Sequence, residues 1–450
     1  MKKKTKLSMV LLALLLVLAG CGKDEIPTED YVQTNPASAG GVNQIMKSDT
    51  GYYYGTTYGE NMSLHYFDVE SGQNIYLCSK PECRHSGDAF CTATSKSYEV
   101  NSVCYYGGFL YLDVLQQTDV EWQYKLLRVS EDGSELTELI TYMTVNNTSL
   151  LPIVYAPMII HRGFVVLPYR IGGVGNAENG FTGTFLYNLL TEELTQLPEL
   201  EYKTDYRGNP ASRGRERFTG YGEYIYFNTH LDGKNTLSRY CLTDGTVEQL
   251  ELLSTHAGRT YAGIYEVIDE DTIYYSGIAG RLYEYHISTK ENITHEEFFA
   301  ETGVRKYEDE NTGETYSIDY VAEYECEDMM TDGTYLYVAK NLTFRNWNVE
   351  WKRRLVGGVG YTEEHHDSYV YVFDRELREV AKVKITTEDL LGYCEYFSFK
   401  ILENKVYLQT SETVFWCPLE GFLKGTPNFI PLFDVEIDGP TTKDWELEGA

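Results

Sequence analysis

The sequence predicts an all-β protein, a β-propeller of seven four-stranded blades that follows a signal peptide and a flexible tether. Three observations carry that expectation. Tyrosine fills 40 of 450 positions and phenylalanine 18 more, and both favour a pleated, half-buried surface. A short aromatic or β-branched run returns seven times, often just after turn-forming residues such as Gly107-Gly108, Gly163, Gly222 and Asp332-Gly333. Each run is then followed by an alternating strand and a second turn in the same order, which a β-sandwich has no reason to repeat.

The first 42 residues stand apart from this pattern. Lys2, Lys3, Lys4 and Lys6 precede an apolar run from Leu7 to Leu18 and the tetrad Leu18-Ala19-Gly20-Cys21. A basic start, a short apolar segment and small residues before a cut make a secretory signal too short to span a membrane comfortably. The tetrad looks like a bacterial lipobox, in which the thiol of Cys21 takes a diacylglyceryl group and becomes the new N-terminus. Two acyl chains give stable anchoring where one is marginal. The expected layout is therefore 1–20 lipoprotein signal peptide, 21–42 lipidated Cys21 and tether, and 43–450 a single propeller domain. Residues 22–42 are polar, turn-rich and without periodicity.

The repeat is clearest in its first copy, Gly51 to Cys78. It reads as an aromatic strand, a polar loop, a strand opening at Leu64, a turn from Asp68 to Gly72 and a strand ending at Cys78. Later copies open at Phe109, Phe164, Tyr224, Thr272, Tyr335 and Val406, roughly 50 to 70 residues apart. That exceeds the usual blade length because several loops are long. The aromatic run is taken as the first strand of each blade. Four-stranded blades set around an axis share a continuous core and protect their edges. Ring closure should bring the segment near Gly51 beside the blade near Val406.

The chain carries 38 basic and 68 acidic residues, a formal charge of −30. Loss of the four signal lysines leaves 34 basic residues and a charge of −34. So acidic a surface repels phosphate backbones, which excludes nucleic acid as a partner.

The sharpest local feature is Cys78-x4-Cys83-x-His85-x5-Cys91. Three thiolates and an imidazole suit tetrahedral Zn²⁺, and Pro81 and Gly87 let a short loop wrap the ion. The spacing is not that of a standard zinc finger. An exported protein also favours disulfides, with Cys104 as a fourth partner, and the eight cysteines after Cys21 permit full pairing. Free thiols are the third reading. The metal and disulfide readings both make the loop structural.

Two other clusters have ligand chemistry. Trp347, Trp351 and Arg345 lie in the longest insertion, where they suit stacking on a sugar or an aromatic ligand. A long hairpin whose aromatics pack on the blade explains the same residues. Arg207, Arg213, Arg215 and Arg217 form a basic island that suits an anionic ligand or local ion pairs in a surface loop. Asp309 to Gly313 falls short of a calcium loop and reads as a turn. His365 and His366 point to opposite faces of a strand. The sequence has no G-x-S-x-G, H-E-x-x-H or phosphate-loop pattern.

On Leu18 to Cys21, on the aromatic-strand and turn grammar and on the run Leu77 to Cys91, the chain resembles the uncharacterised β-propeller surface lipoproteins of Gram-positive bacteria. It is distantly similar to TolB-like and WD40-like repeats. The Trp-Asp ending of WD40 blades is missing, so their scaffold partners do not carry over. The resemblance implies a cell-surface scaffold or binding protein. The lipid anchor, the repeats and the missing catalytic motifs lead to an extracytoplasmic protein, lipid-anchored to the bacterial cell membrane, that binds a glycan or an envelope protein rather than catalysing a reaction. The alternative is a carbohydrate-active hydrolase or lyase on the same fold.

Overall fold

The computed structural model describes residues 45–48, 50–58, 61–85, 91–95, 98–146, 150–153, 157–173, 181–197, 217–231, 234–253, 264–276, 282–295, 300–308, 315–323, 326–341, 368–385, 398–409 and 413–434. Blade 1 holds β1 (Met46–Lys47), β2 (Gly51–Tyr58), β3 (Asn61–Asp68), β4 (Gln73–Tyr76) and the short β5 (Thr94–Ser95). Blade 2 holds β6 (Glu99–Tyr106), β7 (Phe109–Gln117), β8 (Glu121–Ser130) and β9 (Leu136–Asn146). In blade 3 the first strand is split into β10 (Leu150–Ile153) and β11 (Ile159–His161), followed by β12 (Phe164–Gly173), β13 (Phe181–Asn188) and β14 (Leu194–Gln196).

Blade 4 contains β15 (Phe218–Tyr221), β16 (Tyr224–Leu231), β17 (Lys234–Cys241) and β18 (Val247–Gln249). Blade 5 contains β19 (Tyr265–Val267), β20 (Thr272–Ser276), β21 (Leu282–His286) and β22 (Glu291–His295). A separate hairpin, β23 (Ala300–Glu308) with β24 (Thr315–Glu323), comes next. Blade 6 is β25 (Cys326–Thr331), β26 (Leu336–Asn341), β27 (Ser368–Phe373) and β28 (Glu379–Ile385). Blade 7 is β29 (Ser398–Leu402), β30 (Lys405–Gln409), β31 (Thr413–Pro418), a short helix α1 (Leu419–Leu423) and β32 (Ile430–Asp434). Each blade is an antiparallel sheet in simple chain order. The seven-bladed propeller expected from the repeats is the fold.

The phase of the repeat differs from the expectation by one strand. The aromatic runs are the second strands, β2, β7, β12, β16, β20, β26 and β30, and another strand precedes each. First strands of successive blades touch one another around the axis, β1 with β6, β6 with β11, β11 with β15, β15 with β19 and β19 with β25. Two-residue hairpins join them to the second strands in blades 2, 3, 4 and 7. Tyr106 pairs Phe109 across Gly107 and Gly108, whose φ angles are 57° and 80°. Both being positive, this is the primed turn that matches strand twist, and glycine adopts it without steric cost.

Each blade buries both faces against its neighbours. Seven apolar clusters occupy the seven seams. Along β2 the faces alternate: Tyr52 and Tyr54 join the cluster shared with blade 7, and Tyr53 that shared with blade 2. The cluster holding Ile45, Tyr52, Tyr54 and Phe67 with Tyr407, Val414 and Phe433 closes the ring. The Tyr52 and Tyr407 hydroxyls are 2.7 Å apart, Ile45 N donates to Gln409 Oε1 at 3.1 Å, and Lys400 Nζ to Ile45 O at 3.0 Å.

Because strands alternate in direction, the connections divide between two faces of the disc. Turns from first to second and third to fourth strands share one face and are short, except in blade 7, where α1 fills the last. The strand ends between second and third strands, and between one blade and the next, lie on the other face; those pairs of ends include Gly173 and Phe181, Asn341 and Ser368, and Ile385 and Ser398. No helix among the described residues is long and apolar enough to cross a membrane.

Candidate metal centre

Cys78 and Cys91 meet because the outer strand of blade 1 is interrupted. Both β4 and β5 pair with β3, β4 against His65 to Asp68 and β5 against Met62 and Ser63. At the break, Leu77 N donates to Leu64 O at 2.9 Å and Leu64 N donates to Ala93 O at 2.7 Å. One residue of β3 thus holds the chain where it leaves the sheet and where it returns. The Thr92 hydroxyl lies 2.7 Å from Gly133 O and 3.1 Å from Leu77 O, so its single proton serves one or the other and ties the break to the β8–β9 turn of blade 2. Gly133 has φ of 66°, and a Cβ there would stand 2.5 Å from Leu77 O, so the approach requires glycine.

Within the loop, Cys83 N donates to Lys80 O at 3.1 Å, a turn that swings Cys83 back over the break. His85 follows at φ of 51° with Nδ1 3.5 Å from Cys91 Sγ. Ligand atoms of Cys78, Cys83, His85 and Cys91 all lie within 4.8 Å of one another. A tetrahedron with Zn–S of about 2.3 Å has edges of about 3.7 Å, so a small contraction completes the shell. Three thiols and an imidazole are the donor set of a structural zinc site, and the cluster can hold a metal ion.

The electrostatics fit a bound cation. Burial pushes the Cys78 thiol up, but hydrogen bonds from the Thr92 hydroxyl and the Lys80 and Thr92 backbone outweigh it and bring it down to about 7. For Cys83 the His85 backbone N–H lowers the thiol, while burial and the neighbouring Cys91 and Cys78 thiols raise it to about 11. Thiols this close resist joint ionisation until a positive charge sits among them. Thr94 N also donates to Cys91 Sγ at 3.3 Å, the kind of bond that steadies a metal thiolate.

Cys78, Cys83, Cys91, Cys104, Cys241 and Cys417 are free thiols. Cys104 does not join the loop. It sits on β6 and donates to Met158 O at 3.3 Å in the seam with blade 3. Cys21, Arg345, Trp347, Trp351, Asp309 to Gly313 and His365 to Asp367 lie outside the described residues, as do Arg207, Arg213 and Arg215.

Arg217 corrects the surface-loop reading of the basic island. Its guanidinium reaches Asp328 Oδ1 at 3.1 Å, Glu266 Oε2 at 3.2 Å and Met329 O at 2.6 Å. Its side chain is 13% exposed and that of Glu266 1%. One cation thus staples the inner strands of blades 5 and 6 to the start of blade 4. The fork of a guanidinium, not its charge alone, makes three such contacts possible. The sequence carried no signal for this, since the partners are 49 and 111 residues away.

Asp113 on β7 is the other buried charge-bearing group of note. Burial raises its carboxyl to about 7, against partial relief from the Tyr142 hydroxyl at 2.7 Å and Asn101 Nδ2 at 3.3 Å. A raised carboxyl favours folding below its unfolded value, and that contribution is lost as pH rises through about 7. The span from 3.8 to about 7 corresponds to a loss on the order of 4 kcal/mol. Asp113→Asn keeps the shape without the charge, so its stability relative to wild type should rise between pH 5 and pH 8 in urea titrations. Parallel pH profiles for the two proteins would remove this role for Asp113.

The ring and the loop together define a seven-bladed β-propeller with a Cys3His centre on its first blade. No family model matches the sequence, and no curated protein matches it. Several solved structures are similar. The complex of KlAtg21 with the coiled coil of AgAtg16 aligns at TM-score 0.43 and 8% identity, over 88% of this chain and 100% of that one. TolB from Acinetobacter baumannii aligns at TM-score 0.33 and 12% identity, over 88% and 79%. A puromycin-hydrolyzing peptidase from Mycobacterium tuberculosis aligns at TM-score 0.42 and 11% identity, over 93% of this chain and 57% of that one. At such identities nothing about ligand or reaction carries across.

Proposed function

We propose that the protein is a binding or scaffold propeller, not an enzyme, held outside the bacterial cell membrane by a diacylglyceryl group on Cys21. The tetrad Leu18-Ala19-Gly20-Cys21, set between an apolar run and a polar tether, carries this reading. Zn²⁺ held by Cys78, Cys83, His85 and Cys91 is structural in this reading, and the ligand is a glycan or an envelope protein.

Binding is assigned to the face that bears the long connections. The insertion with Arg345, Trp347 and Trp351 joins β26 to β27 and so starts and ends there. Aromatic rings beside a guanidinium suit stacking on sugars.

Cys21→Ala should leave the precursor uncleaved and unlabelled by fatty-acid tracers. Labelling at the wild-type level would sink the anchor. A glycan array run beside a panel of glycosidase substrates tests the rest, and turnover of any substrate would overturn the non-enzymatic reading.

A further inference from the structure

A row of rings crosses blade 1 from the Cys/His loop to the ring-closing seam. His85 stacks on Tyr76 with centroids 4.6 Å apart and planes 21° from parallel. Tyr76 lies 4.8 Å from His65, and His65 lies 4.9 Å from Tyr54 with planes 8° apart. Tyr54 then stacks on Phe433 of blade 7 at 5.4 Å, and Phe433 on Phe67 at 4.6 Å. Strand register builds the row. Tyr54 opposes His65 on β3, and His65 opposes Tyr76 on β4, so the three share one level and one face.

The seam that this row reaches has no strand exchange among the described residues. Blade 1 is built from β1 to β5 and blade 7 from β29 to β32, and no strand of either pairs in the other's sheet. Side chains and a few hydrogen bonds close the ring, among them Asn74 Nδ2 to Asp434 O at 3.2 Å. A closure of this kind depends on how firmly the rings of blade 1 are held.

We propose that a metal ion bound by Cys78, Cys83, His85 and Cys91 locks the propeller shut. By fixing the His85 ring against Tyr76, it holds the row in register and keeps blade 7 on blade 1. His85 is a non-glycine residue in the left-handed region, a conformation kept where its surroundings impose it. When the metal leaves, the cluster loses its reason to converge, His85 is released and the outer face of Tyr76 loses its packing partner. Packed rings have few alternative arrangements, so the loosening passes along the row rather than being absorbed at the loop. Thr92 and Ser79, both within hydrogen-bonding distance of Gly133 O, place blade 2 under the same control.

The lock rests on the zinc reading, and one experiment separates the two. Full-length protein is analysed for zinc, then followed by amide hydrogen exchange with and without a chelator. About one zinc per chain is expected. Chelation should speed exchange about tenfold in 51–54, 64–67 and 413–434 as well as in the loop, while 218–249 in blade 4 keeps its protection. Tyr76→Leu should retain zinc but show fast exchange at the seam with metal present and no further response to chelation. Tyr76→Phe, which keeps the ring, should behave as wild type. The wild-type comparison needs no variant to fold. Bound zinc with a response confined to 76–95 would overturn the lock and leave the metal site standing. Absence of zinc would overturn both.

Discussion

Truncation at Gly392 should abolish the native fold rather than shorten it. The cut removes all of blade 7, which shares one apolar cluster with blade 6 and another with blade 1. Val370, Val383 and Ile385 lose Phe399, Val406 and Phe422, while Tyr52, Tyr54 and Phe67 lose Tyr407, Val414 and Phe433. Burying one large apolar side chain contributes about 1.5–3 kcal/mol. A whole domain is stable by only about 5–15 kcal/mol, so two bared seams exceed what the rest can offset. The fragment should lack a cooperative thermal transition and aggregate through its exposed blades. A monomeric fragment with the wild-type melting temperature would show that the ring does not act as one unit.

Blade number and repeat order were legible because the second strands announce themselves. Packed on both faces, they become unbroken apolar runs such as Phe109 to Leu112 and Phe164 to Leu167, with most members fully buried. First strands were hidden for the opposite physical reason. They lie around the axis, and they carry Asn101, Ser102, Thr219, Glu266 and Asp328, buried polar groups that spoil any apolar pattern. The repeat was therefore read one strand out of phase.

The Cys3His cluster was legible as a spacing. Its position was not, because the outer edge of blade 1 resumes in β5 against Met62 and Ser63 after a break held by backbone bonds to Leu64. Tyr76, Thr92 and Gly133, which shape the centre, looked like ordinary strand and turn residues. The row from His85 to Phe433 spans most of the chain and exists only once the ring has closed.

Arg217→Leu should destabilise the protein by about 3–5 kcal/mol, the range for removing one partner of a buried ion pair. The substitution keeps apolar bulk but takes the cation from Glu266 and Asp328, whose side chains are 1% and 11% exposed. It also takes the donor from Met329 O, a 2.6 Å contact. Arg217→Lys should fall between, because an ammonium is a compact charge that cannot fork to two carboxylates and a carbonyl at once. Adding Glu266→Gln and Asp328→Asn to Arg217→Leu should recover much of the loss, since amides do not need the missing charge. Urea denaturation of the four proteins at neutral pH measures each step. The order expected is wild type, then Arg217→Lys, then the triple variant, then Arg217→Leu. If Arg217→Leu matched wild type within about 0.5 kcal/mol, the range of an ordinary surface substitution, the three-blade staple would have no part in holding the ring.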